Sequence, residues 1–123
     1  MTYRFAWRLL LVLVLLLVVG TQMPGAWRAG IEGRLHSPWG LSSWAHFFMF
    51  AAMAWVASVP LAWPWSRVVL VALALALLTE GLQFFAVDRH PRLLDIGIDL
   101  AGAGLGLVVS WVIGQWSRLR DAY

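Results

Sequence analysis

Residues 68–87 read VVLVALALALLTEGLQFFAV, and the fold follows from where such a run can be stable. As a helix rising about 1.5 Å per residue, it covers the roughly 30 Å hydrocarbon core of a bilayer. Its last two turns nevertheless carry Glu80 and Gln83. A charge near a bilayer centre costs about 2.5–3.5 kcal/mol on insertion scales, so such a residue has a partner or a task. The run therefore predicts a membrane helix that belongs to a bundle.

Working outward, Pro60 and Pro64 enforce a tight connection on the N-terminal side, with Trp63 and Trp65 at interface depth. Before it lies a second apolar block, about residues 44–61. Beyond the central run come the polar loop Asp88, Arg89, His90, Pro91, Arg92 and a further apolar block over about residues 94–116. Residues 24–43 hold Pro24, Gly25, Gly30, Gly33, Pro38 and Gly40, too many breakers for a helix. The first apolar block runs over about residues 5–23, preceded by Arg4 and Arg8. It competes with a signal-peptide reading, although Val18-Val19-Gly20 is a weak cleavage site. Trp7, Trp39, Trp44, Trp63, Trp65 and Trp116 fall where these blocks meet water, the pattern of an aromatic belt. The expected fold class is all-α: a single domain, residues 1–123, forming an integral membrane bundle of about four transmembrane helices.

Composition agrees with that solvent. Hydrophobic residues make up 62% and charged residues 12% of 123 residues, a balance that no water-soluble fold of this size could hide. There is no cysteine, which excludes disulfides and thiolate metal sites. The basic residues are all Arg and lie scattered beside the apolar blocks, so the net charge of +3 carries no nucleic-acid stripe. With four spans, Arg4, Arg8, Arg67, Arg118 and Arg120 share one side, against Arg28, Arg34, Arg89 and Arg92 on the other. The positive-inside rule then favours cytoplasmic termini in a plasma (inner) membrane.

Connectivity alone concentrates the polar residues. His46 lies about one turn inside the second block, Glu80 and Gln83 end the third, and Asp95 and Asp99 begin the fourth. All of these positions fall on the side of the first loop and of Arg89, His90 and Arg92. Glu80 and Gln83 share a helix face at i,i+3, and Asp95 and Asp99 share one at i,i+4. Ala72 and Ala76 extend the first face, Gly102 and Gly106 the second. These two small-residue stripes are expected to face each other and bring Glu80 toward Asp99. Three carboxylates drawn together in low dielectric must share protons, pair with Arg89 and Arg92, or bind a cation. Pairing with Arg asks least. No paired-histidine spacing is present, and no metal or other cofactor is expected.

At these residues the chain resembles the VanZ-like family of small bacterial membrane proteins. The resemblance rests on His46-Phe47, Glu80-Gly81-Leu82-Gln83, Arg89 or Arg92, and Asp95 followed by Gly102 and Gly106, over about residues 42–113. There are two departures. Ser42 and Ser43 stand where the family often has Asp-Lys, and Asp99 stands where Asn is usual. The resemblance implies a bacterial inner-membrane location and a bearing on susceptibility to teicoplanin-type glycopeptides, but no reaction.

Three functions remain open on this reading. The first is an envelope-associated binding protein, with His46, Glu80, Gln83, Arg89, Arg92, Asp95 and Asp99 forming a pocket for an anionic lipid headgroup or a lipid-linked cell-wall precursor. The second is an intramembrane enzyme, with Glu80 as general base, His46 as acid or base partner and Asp95 as orienter or metal ligand. The third is a structural or partner-binding membrane protein whose polar cluster sets helix register. The polar residues line no path across the bilayer and no inverted repeat is visible, which argues against a transporter.

Overall fold

The computed structural model describes residues 1–21, 41–85 and 93–123, with side chains from residue 44 onward in the second segment. It is all-helical: α1 (Tyr3–Thr21), α2 (Leu41–Ser58), α3 (Trp65–Gln83) and α4 (Leu93–Asp121). Three of these, α1, α3 and α4, are long and apolar enough to cross a membrane, and Trp44–Ser58 in α2 is a shorter apolar helix. Leu11, Leu15, Leu16, Val19, Leu70, Leu77, Val108 and Trp111 are exposed. In water these would form a sticky surface; in a bilayer they are its proper lining. The chain is a multi-pass membrane protein.

Helix ends differ from the hydropathy blocks where backbone chemistry, not apolarity, decides. The segment 24–43 expected to be non-helical lies largely outside the described residues, but α2 already starts at Leu41, directly after the last breaker, Gly40. It ends at Ser58 rather than residue 61, because Pro60 disfavours helical backbone at Val59. α3 starts at Trp65, three residues before its apolar run, since Pro64 caps it in an extended conformation (φ −64, ψ 149). It closes at Gln83, where the amides of Phe84 and Phe85 donate to the Gly81 and Leu82 carbonyls, a tightening that satisfies the last turn. α4 runs on to Asp121, past the expected end at Trp116. Arg118 and Arg120 sit in its last turn, where cations favour the helix dipole.

Backbone hydrogen bonds close the α2–α3 connection. The Leu61 amide donates to the Val56 carbonyl at 3.2 Å and the Trp63 amide to the Ala57 carbonyl at 2.9 Å. Closing this turn puts Ala62 at φ 53, the left-handed region that disfavours a Cβ. Ala62→Gly is expected to stabilise the protein by up to about 1 kcal/mol, the relief of the Cβ clash less glycine's extra chain entropy. The thermal midpoint of the detergent-solubilised variant checks this; a lower midpoint would contradict it.

The most extensive packing is between α2 and α4, which run parallel. Cβ atoms built at Gly102 and Gly106 would lie 2.2 Å from the Phe47 carbonyl oxygen and 2.3 Å from that of Ala51. Both glycines therefore serve a backbone-to-backbone approach. The expectation that this stripe faces Ala72 and Ala76 of α3 is thus corrected: it receives α2, whose own backbone fills the space a side chain would need. At the far end of the same pair, the Ser58 and Ser110 hydroxyls are 2.7 Å apart, and the Gly106 carbonyl lies 2.8 Å from that of Ser110. The Ser58 hydroxyl has the Trp55 carbonyl of its own helix at 3.3 Å as an alternative acceptor, so the two serines share a hydrogen bond in which either is the donor and the other is free to serve its own helix. Helix α1 packs on α2 and α3, burying Ala6, Leu10 and Leu17. Trp7 meets Trp63 edge-on with centroids 5.7 Å apart, fixing the start of α1 beside the α2–α3 turn.

Candidate functional site

His46 and Asp99 each occupy the second turn of their helix, and the parallel register of α2 and α4 sets them side by side. His46 Nδ1 and Asp99 Oδ1 are 3.1 Å apart. Asp99 has no exposed surface, and the His46 side chain is 12% exposed. Burying a carboxylate is costly unless it is bonded. The imidazole meets that cost by donating Nδ1–H to Oδ1, which leaves Nε2 as the ring's acceptor when the ring is neutral. The second carboxylate oxygen, Oδ2, is buried with no hydrogen-bond partner among the described residues. An aromatic wall adjoins the histidine on α2: Trp44 stacks on Phe48 at 5.8 Å, and Phe47 meets Phe48 edge-on at 5.4 Å.

Glu80 and Gln83 are buried on α3, as is Thr79. Thr21 closes α1 and is also fully buried. Because α1 and α3 run opposite to α2 and α4, Thr21, Thr79, Glu80, Gln83 and Asp99 all belong to one end of the bundle. They are the buried polar side chains among the described residues. The polar asymmetry read from connectivity is therefore present in the fold, with one amendment: the half-buried Ser58–Ser110 pair lies toward the other end.

Sequence reasoning passed over Thr21 and Thr79. Each donates its hydroxyl to its own helix, Thr21 to the Val18 carbonyl at 2.6 Å and Thr79 to that of Ala76 at 3.0 Å. Such self-satisfied threonines leave hydropathy almost unchanged. The available signal was positional: Thr79 adjoins Glu80, and Thr21 ends an apolar helix on the polar side.

Asp95 is half-buried one turn before Asp99 on the same face of α4. The acid within hydrogen-bonding distance of His46 is Asp99, while the enzymatic reading names Asp95 as orienter or metal ligand. Arg89 and Arg92, with His90, lie outside the described residues, in the segment joining Phe85 to Leu93 at the polar end. Among the described residues no group of three His, Asp or Glu side chains is placed to hold a metal ion. What the arrangement provides is a buried polar end with one hydrogen-bonded imidazole and a carboxylate oxygen that is unbonded among the described residues.

The VanZ/LLP1 family profile matches residues 7–114, well over half of the chain and every helix described above. No curated protein and no solved structure matches.

Proposed function

Since the chain belongs to the VanZ/LLP1 family and is a multi-pass membrane protein, we propose that its polar end is a recognition pocket for the phosphate-bearing headgroup of an envelope lipid or a lipid-linked cell-wall precursor. The observation that carries this reading is that, among the described residues, the buried polar side chains are confined to one end, around a His46–Asp99 pair. Interhelical polar contacts contribute only about 0.6 kcal/mol on average. A fully buried acid with one oxygen unbonded among the described residues is more than register-keeping requires.

In this reading Arg89 and Arg92 reach the phosphate, because a guanidinium donates two parallel hydrogen bonds to it. Glu80, Gln83, Asp95 and His46 take the hydroxyls and amides of the sugar or headgroup. The termini lie in the cytoplasm, so the pocket opens on the outer face of the inner membrane, where such precursors are assembled into wall. Occupancy of that precursor would alter the response to teicoplanin-type glycopeptides.

Arg89→Ala and Arg92→Ala are each expected to weaken binding to vesicles doped with a polyprenyl diphosphate by roughly tenfold or more, the worth of a charge-assisted bond of about 1.5–3 kcal/mol. Unchanged binding by both variants would sink the proposal. Reporter fusions in the 88–92 loop give a second check, since a cytoplasmic loop removes the cell-wall precursor as ligand.

One observation favours a catalytic alternative. An imidazole held by a buried carboxylate through Nδ1 presents Nε2 as a general base. Here His46 would take the proton, Asp99 would hold the ring, and Glu80 would be the second acid–base group.

A further inference from the structure

The opposite end of the bundle carries a different surface. Between α1, α2 and α3 lies an almost wholly apolar groove of about 50 Å³, lined by Leu10, Val14, Phe50, Trp63, Ala72 and Leu75 among others. At roughly 10–15 Å³ for each water-sized group, it has room for about three to five groups of that size, a short stretch of an acyl chain. Trp63 forms one wall and also carries the Arg67 guanidinium, 4.3 Å above its ring centroid. Arg67 is exposed and forms no ion pair among the described residues. Trp7 braces the same ring at 5.7 Å, and Tyr3 braces Trp7 at 6.3 Å. Arg4 and Arg8 begin α1 at this end. Of the described acidic residues only Asp121 is here; Glu80, Asp95 and Asp99 are at the other.

We propose that this groove and Arg67 together form a binding site for one anionic phospholipid, separate from the polar pocket. An acyl chain lies in the groove between α1 and α3, and the phosphate rests on the guanidinium that Trp63 holds in place. Three features select this occupant. The almost wholly apolar groove offers a hydrated ligand little to bond. The cation stands at interface depth, where the phosphate of a lipid with its tail in the groove would lie. The positive balance of the end favours an anionic headgroup over a zwitterionic one. Arginine stacked on an aromatic face is already oriented, so little side-chain freedom is lost when phosphate binds.

The test is native mass spectrometry of the full chain released from nanodiscs containing equal phosphatidylglycerol and phosphatidylethanolamine. Wild type is expected to retain one phosphatidylglycerol per chain. R67E, a change at an exposed position, is expected to reduce retention at least tenfold. A72L, which fills the groove and keeps the charge, is expected to do the same. R89A and R92A should leave this lipid in place, which separates failure here from failure of the pocket reading. Equal retention by wild type and R67E, or no preference for phosphatidylglycerol, overturns the proposal.

Discussion

Gly102→Ala is expected to loosen the α2–α4 pair, lowering stability by about 1–3 kcal/mol, and Gly106→Leu is expected to prevent it from closing. The added Cβ at position 102 meets the Phe47 carbonyl oxygen at 2.2 Å and its carbonyl carbon at 2.9 Å. At position 106 it meets the Ala51 oxygen at 2.3 Å and the Ala54 Cβ at 2.9 Å. These neighbours are mostly backbone and cannot rotate away, so the helices themselves must separate. Separation pulls His46 from Asp99 at one end and Ser58 from Ser110 at the other, which couples the site to the glycine stripe. Gly104 lies on the same helix with nothing within 4 Å of a built Cβ. Gly104→Ala should be neutral or slightly stabilising, because alanine is the better helix former. Thermal midpoints of the three variants in one detergent make the comparison. A Gly102→Ala midpoint equal to that of Gly104→Ala would contradict the packing assigned here.

His46→Ala is expected to be the most costly change in the polar end, at about 3–5 kcal/mol, because it leaves Asp99 buried and bereft of its one hydrogen bond among the described residues. Asp99→Ala should cost less, since the partly exposed imidazole can recover a bond to water. Asp99→Asn should stay close to wild type in stability, because the amide oxygen still accepts from Nδ1–H. The double change His46→Leu with Asp99→Leu removes both polar partners and should recover much of the loss. A double-mutant cycle of His46→Ala, Asp99→Ala and the two combined measures the coupling, and additive losses would show that the pair contributes nothing as a pair. Asp99→Asn also divides the two functional readings. A binding pocket tolerates a neutral partner that keeps the imidazole in place. A general base loses the negative charge that stabilises its protonated form, so turnover should fall while affinity holds.

Much of this fold was legible in the chain. The run 68–87 with Glu80 near its end called for a membrane bundle, and alternating helix directions placed His46, Glu80, Gln83 and Asp99 at one end. Both conclusions use only hydropathy and connectivity, properties that each residue or loop carries locally. Helix termini were legible less well, because Pro60, Pro64 and the Phe84–Phe85 turn act through backbone geometry that hydropathy does not weigh. The partner of the Gly102–Gly106 stripe was not legible. Small residues permit close approach to any helix, and the Ala72–Ala76 face offered an equally reasonable mate. Ser58 and Ser110 are separated by 52 residues, and either alone is an ordinary helical serine.

By itself, then, the sequence determined that this protein lives in a bilayer, that its helices antiparallel in succession gather their polar side chains at one end, and that Glu80 requires company. Transfer from water to lipid is summed residue by residue, and each reversal of the chain is written in a short run of breakers. Only the tertiary structure decided that α2 and α4 are the intimate pair, that Asp99 is the acid bonded to His46, and that Trp63 joins an apolar groove to Arg67. Those outcomes depend on how closely two backbones can approach and on their register, which arise between helices and belong to no single stretch of sequence.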